Sequence, residues 1–231
     1  MANLHRQLQF FNPDTLDMPK VTIIGCGGIG SYVAYYLAQM GVTNLTIWDR
    51  DIVAEHNISN QNFTLNQIGA FKVDAIKDSI IAKIGEDDAK NITVKRSFFN
   101  SESKIEPGII ILATDNIDSR KLIYEVTKKS DGVSYLIDGR LGGELIRILS
   151  IDMESDSQKS LYEDSLFSSS EAEELPCTAK AIIYVAARIA SEIVYETKVA
   201  ITNRPDCRTE IIIDYVSKYQ EIDNNPFFER D

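Results

Sequence analysis

Residues 20–49 read KVTIIGCGGIGSYVAYYLAQMGVTNLTIWD, and their order decides the fold. Lys20 to Gly25 is a short apolar run, rich in β-branched residues and ending in glycines, which is the pattern of a buried strand. Ile29 to Met40 places apolar residues at helical spacing and stops at Gly41, a residue suited to the position just past a helix. Asn44 to Asp49 reads as a second strand. Parallel strands need a crossover between them, so residues 20–49 form one β-α-β unit.

The pattern continues outward from this unit. Arg50 to Gln67 is polar and irregular, and a helix follows over about Gly69 to Ile84. Strands are expected at Ile92–Phe99, Gly108–Thr114 and Tyr135–Asp138, with a helix at Asn116–Lys129. This alternation predicts an α/β, Rossmann-like fold with a mostly parallel, doubly wound sheet covered on both faces. Glu144 to Asp152 reads as an antiparallel extension. Residues 153–176 are rich in Ser, Asp and Glu, and are expected to be a long flexible crossover loop. Cys177 to Val199 is a helix with Ile182, Val185, Ile189 and Ile193 on one face. Arg208 to Ser217 reads as a last strand, and the tail from Asn224 as a loose surface segment. The expected organisation is one domain over 1–231. It has an amino-terminal arm (1–19), a nucleotide-binding core (20–152), the crossover loop (153–176) and a carboxyl-terminal helix and strand (177–231).

Composition bounds the function. The chain has 231 residues, 44% of them hydrophobic and 26% charged, which is ordinary globular composition. Lys and Arg number 24 against 35 Asp and Glu, a net charge of −11. So acidic a surface disfavours nucleic acid and anionic membranes as partners. No run of eighteen apolar residues and no apolar leader is seen, so a soluble, cytoplasmic protein is expected. The cysteines Cys26, Cys177 and Cys207 form no C-x-x-C pair, so no zinc site is expected.

Gly25-Cys26-Gly27-Gly28-Ile29-Gly30 fits G-x-G-x-x-G between a strand and a helix. Such glycines allow a tight turn and let backbone amides approach phosphates at a helix amino terminus. Asp49 ends the second strand, where a carboxylate can accept from ribose hydroxyls. Nucleotide binding is the reading that follows. A turn that binds nothing is the alternative.

The residues around the loop indicate which nucleotide. Asp49-Arg50-Asp51 is a D-x-D string, followed by Val53, Asn57, Ile58 and Gln61. Gly69 and Lys72 lie in GAFK, then come Thr114-Asp115-Asn116 and Arg120, with Arg6-Gln7 ahead of the first strand. In this order the stretch from residue 6 to about 152 resembles the ThiF/MoeB/HesA adenylyltransferase superfamily, which includes ubiquitin-activating enzymes. The resemblance implies ATP·Mg²⁺-dependent adenylation of a carboxyl terminus with release of pyrophosphate. The implied substrate is a small ubiquitin-like or sulfur-carrier protein ending in Gly-Gly. It also implies a homodimer, because the counterpart of Arg6 reaches into the partner subunit's site.

The roles follow on the same basis. The glycine loop (Gly25, Gly27, Gly28, Gly30) cradles phosphates and Asp49, with Asp51, serves the ribose end. Lys72 and Arg6 neutralise phosphate charge, and Asp115 holds Mg²⁺ with Asn116 beside it. Asn57 and Gln61 contact the nucleotide or position its neighbours, and Arg120 supports Asp115 or binds pyrophosphate. Each residue also has a plainer reading: Lys72 as an exposed helix lysine, Asp115 and Asn116 as a helix cap, Arg6 as part of a loose arm.

One departure stands out. The family's R-Q pair is Asn60-Gln61 here, which removes a cation near the terminal phosphates. Arg50 and Lys77 are candidates to compensate. A nucleotide-binding pseudoenzyme or regulatory subunit is therefore one alternative, and adenylation of a peptide or tRNA-linked carboxylate is another. An NAD-dependent oxidoreductase would leave the D-x-D and T-D-N strings unexplained.

Cys177, in Leu175-Pro176-Cys177-Thr178, is the candidate for a thioester step. A helix amino terminus lowers a thiol's pKa, while Glu171, Glu173 and Glu174 oppose the thiolate. An inert packing cysteine is the alternative. The aromatic and aliphatic residues of the loop, Leu161, Tyr162, Leu166 and Phe167, either hold a partner's tail or tuck the loop onto its own domain.

Overall fold

The apolar run at 20–24 is the centre of an eight-stranded sheet in the computed structural model, which describes residues 4–166, 182–202 and 208–224. Strand β1 (Lys20–Ile24) pairs in parallel with β2 (Leu45–Trp48) on one side and β4 (Gly108–Leu112) on the other. Beyond β2 lies the short β3 (Thr93–Lys95), and beyond β4 lies β5 (Val133–Gly142), both parallel to their neighbours. The antiparallel extension follows as β6 (Leu145–Asp152), β7 (Arg208–Asp214) and β8 (Tyr219–Asn224), giving the order β3-β2-β1-β4-β5-β6-β7-β8.

The strand period of two sorts side chains onto two faces. Val21 and Ile23 join one core with residues of α1 (Gly30–Met40), α2 (Lys72–Ile84) and α6 (Ile183–Ile201). Ile24, Ile110 and Leu112 join the other core, with Ile123 and Tyr124 of α4 (Ile117–Thr127). A four-residue helix (Glu86–Ala89) follows α2. Each fully buried Ile or Leu is worth roughly 1.5–3 kcal/mol of transfer free energy. The doubly wound arrangement expected from the alternation is the one observed.

Three expectations need correction. Residues 153–166 are not a loose loop: Asp156–Asp164 form a helix, α5, capped by the Ser155 side chain. Tyr162 is fully buried and Leu161 and Leu166 pack on the second core, so this part of the segment tucks onto its own domain; Phe167 lies outside the described residues. The last strand is joined by β8, which takes in residues expected to lie beyond it. Along α6, Val185, Ile189 and Ile193 are buried as expected, whereas Ile182 is exposed.

Candidate functional site

The strand order reverses between β1 and β4, and at such switch points the carboxyl ends of the strands open a crevice. A cleft of about 860 Å³ lies there, lined by the glycine loop, the ends of β2 and β4, and residues of the β5–β6 hairpin. The glycines of the loop do different jobs. A Cβ on Gly30 would stand 1.8 Å from the Gly25 carbonyl oxygen, and Gly25 has φ +98° against the Ala113 carbonyl. These two are required by the chain's own packing. Gly27 is not, since nothing lies within 4 Å of its Cβ position, and it lines the cleft.

Asp49 fastens the loop to β2. Its Oδ2 accepts from the Cys26 amide at 2.7 Å and its Oδ1 from the Asp51 amide at 2.8 Å. Lys72 opens α2 with its Nζ 3.1 Å from Asp51 Oδ2, and it is only 7% exposed. The plainer reading of a solvated helix lysine is therefore wrong. Cys26 is fully buried; burial first, and then the charge of Asp49, push its thiol up, which makes it packing rather than chemistry.

At the end of β4, Asn116 Oδ1 accepts from the Ser119 amide at 2.8 Å and caps α4, while its Nδ2 donates to Asp115 Oδ1 at 3.0 Å. Asp115 is exposed at the cleft. Of the five buried side-chain polar atoms without a hydrogen-bond partner among the described residues, two, Gln61 Oε1 and Thr114 Oγ1, belong to residues that line the cleft. Leaving such a group unsatisfied costs about 1–3 kcal/mol.

The ThiF family's sequence pattern matches residues 4–230. The chain belongs to the ThiF family. It is 33% identical over 110 residues to the adenylyltransferase and sulfurtransferase UBA4 of Eremothecium gossypii, covering 46% of this chain and 25% of that protein. It is 33% identical over 117 residues to ubiquitin-like modifier-activating enzyme 5 of Drosophila willistoni, covering 45% and 29%. The matched stretches thus span a quarter to three-tenths of these relatives' length. The crystal structure of E. coli MccB with AMPCPP and MccA shares the fold, with a TM-score of 0.66 at 17% identity over 94% of this chain and 67% of that one.

In this ThiF-family chain the cleft brings together Gly25, Gly27, Gly28, Asp49, Asp51, Gln61, Lys72, Asp115, Asn116 and Arg120. Asn57 is not among them. It is buried, its Oδ1 accepts from the Ala54 amide at 2.8 Å, and its carbonyl accepts from the Gln61 amide, so it shapes the turn that presents Gln61. Arg6 does not reach the cleft of its own chain. The arm is tied to the far end of α1 by Gln7 Nε2 donating to the Met40 carbonyl at 2.6 Å. An eleven-residue helix is about 16 Å long, and it separates the two places. Cys177 and Cys207 lie outside the described residues. Lys77 donates to the Ile92 carbonyl at 2.7 Å and does not line the cleft, whereas Arg50 does.

Arg120 turns out to be a buried hub member. It donates to Asp138 Oδ1 at 2.9 Å, to the Gly139 carbonyl at 3.0 Å and to the Thr114 carbonyl, so it supports the strand end that carries Asp115. Arg140 donates to Asp138 Oδ2 at 2.7 Å and to Ser165, and the Tyr162 hydroxyl also donates to Asp138. Burial alone would raise the Asp138 carboxyl, but the two guanidiniums hold it below its usual value. Sequence reasoning missed Asp138 and Arg140. The signal available was a pair of opposite charges closing an otherwise apolar strand.

Proposed function

We propose that this chain uses ATP·Mg²⁺ to adenylate a carboxylate, most simply the carboxyl terminus of a small ubiquitin-like or sulfur-carrier protein ending in Gly-Gly. The observation that carries the reading is the convergence of Gly27, Lys72 and Asp115 on one cleft. The loop amides and the Lys72 ammonium take the triphosphate charge, which lets an anionic carboxylate approach. Its oxygen bonds to the α-phosphorus, the bond to the bridging oxygen of the β-phosphate breaks, and pyrophosphate leaves. Asp115 would hold Mg²⁺, an ion that prefers oxygen ligands, retains waters and neutralises phosphate charge. Arg6 would act on a second copy's cleft, which is the part of the reading that calls for a homodimer. Cys177 would accept the acyl group as a thioester, with AMP leaving.

The names of the relatives favour a protein carboxylate, and the MccA bound to MccB keeps a peptide carboxylate as the second reading. Isotope exchange of pyrophosphate into ATP, driven by a synthetic peptide ending in Gly-Gly, tests the reaction. The wild type should exchange and Lys72→Ala should lose at least about a hundredfold, the scale of one lost charge-stabilising group. ATP binding without exchange for protein or peptide carboxylates would leave a nucleotide-binding pseudoenzyme. Mass spectrometry of Cys177→Ala separates the thioester step, since an undiminished adduct removes Cys177 from the scheme.

A further inference from the structure

Arg50 is the residue between the two aspartates of the D-x-D string, considered so far only as a stand-in for the cation lost at Asn60. Its guanidinium carbon sits 3.2 Å from the centroid of the Phe98 ring. Phe98 is 61% exposed and joins neither core, and its ring lies under the Arg50 guanidinium. The guanidinium makes only a long 3.8 Å ion pair with Asp51, and it donates no hydrogen bond among the described residues. Both Arg50 and Phe98 line the cleft. Together they present a flat cationic plane, backed by an aromatic ring, to open space.

The sheet order says what that plane would meet. β1 carries the glycine loop, β2 carries Asp49, and Phe98 follows β3, so the three lie in sequence away from β4. Neighbouring strands are about 4.8 Å apart, which puts the β3 end roughly 10 Å from β1. A nucleotide with phosphates on the loop and ribose on Asp49 therefore extends its base toward β3. Bases stack well on guanidinium planes and aromatic rings. We propose that Arg50, held flat by Phe98, is the platform on which the purine base of ATP stacks, making it a base-binding residue rather than a replacement for the phosphate cation lost at Asn60. The inference rests on the ATP reading above and adds the base contact to it.

Calorimetric titration of the full chain with ATP and with inorganic tripolyphosphate, both with Mg²⁺, tests it. Arg50→Ala and Phe98→Ala should each weaken ATP roughly tenfold, the scale of one lost stacking partner, and leave tripolyphosphate unchanged. Arg50→Lys keeps the charge without the plane, so it should show nearly the same loss as Arg50→Ala. Both side chains are exposed, and unchanged thermal midpoints would show that the variants fold. Equal weakening of ATP and tripolyphosphate, or full recovery by Arg50→Lys, would make Arg50 a phosphate cation and overturn the platform. Wild-type ATP affinity in Arg50→Ala would also overturn it, while leaving adenylation intact. Failure of the wild type to bind ATP at all would remove both readings together.

Discussion

On the β5 side of the cleft, Asp138 has no exposed surface and accepts from Arg120, Arg140 and Tyr162. On the glycine-loop side, Gln61 Oε1 and Thr114 Oγ1 are equally hidden and accept from nothing among the described residues. The first wall is closed on itself, and the second is open in that it leaves these two oxygens unpaired among the described residues. A buried polar group is normally paired, so the closed wall reads as structure, and the open wall is where the proposed nucleotide would sit. The hub also links the site to the rest of the chain: Arg120 braces the Thr114 carbonyl, and Arg140 holds Ser165 at the end of α5.

The largest effect expected from this contrast is on the closed wall. Asp138→Asn leaves two guanidiniums facing a neutral amide, and breaking a buried pair in this way costs about 3–5 kcal/mol. Urea denaturation would measure it. The pH dependence has a definite sign, because the folded carboxyl lies below the ordinary value of 3.8. Its contribution is complete above the unfolded pKa and is lost as the pH falls through the lower folded one. Wild-type stability should therefore drop below about pH 4, and the variant should show a smaller drop. A variant as stable as the wild type at pH 7 would mean that the hub is not what holds this wall.

The glycine loop offers a sharper comparison within a few residues. Gly30→Ala pushes a methyl group into the Gly25 carbonyl and should cost at least about 1–3 kcal/mol of stability. Gly27→Ala meets open space and should change stability by less than about 0.5 kcal/mol. Yet on the proposed reading Gly27→Ala should weaken ATP in a titration, because its methyl would occupy the side from which the phosphates approach. If Gly27→Ala binds ATP as the wild type does, the phosphates do not rest on that amide.

Much of the open wall was legible in the sequence, because its parts are local. Gly25 to Gly30 and Asp49 belong to one β-α-β unit, Lys72 opens α2, and Asp115 stands just before the cap of α4, both helices that periodicity reveals. The closed wall was not legible, since its partners are far apart in the chain. Arg120 meets Asp138 eighteen residues on, and Arg140 meets Ser165 twenty-five residues on. The polar composition of residues 153–166 suggested a loop, but Tyr162 and Ser165 anchor α5 through contacts that composition does not show. Strand β8 was missed for another reason. The turn into it puts Lys218 at φ 59°, a conformation usually announced by Gly or Asn, so the sequence carried no hairpin signal.

The smallest effect is also the most direct test of what an unpaired atom means. Thr114→Val replaces a buried hydroxyl that has no partner among the described residues with a methyl group of nearly the same shape. If the hydroxyl exists for the fold, the change should destabilise. If it waits for a ligand, removing it relieves an unsatisfied group, and the free protein should gain about 1 kcal/mol by urea denaturation. ATP affinity should move the other way, by roughly fivefold, the worth of one ordinary hydrogen bond. A gain in stability together with a loss in affinity would tie the Thr114 hydroxyl to the proposed nucleotide rather than to the fold. Movement of both quantities in one direction would place Thr114 with the closed wall, as a residue that holds the strand end and nothing more.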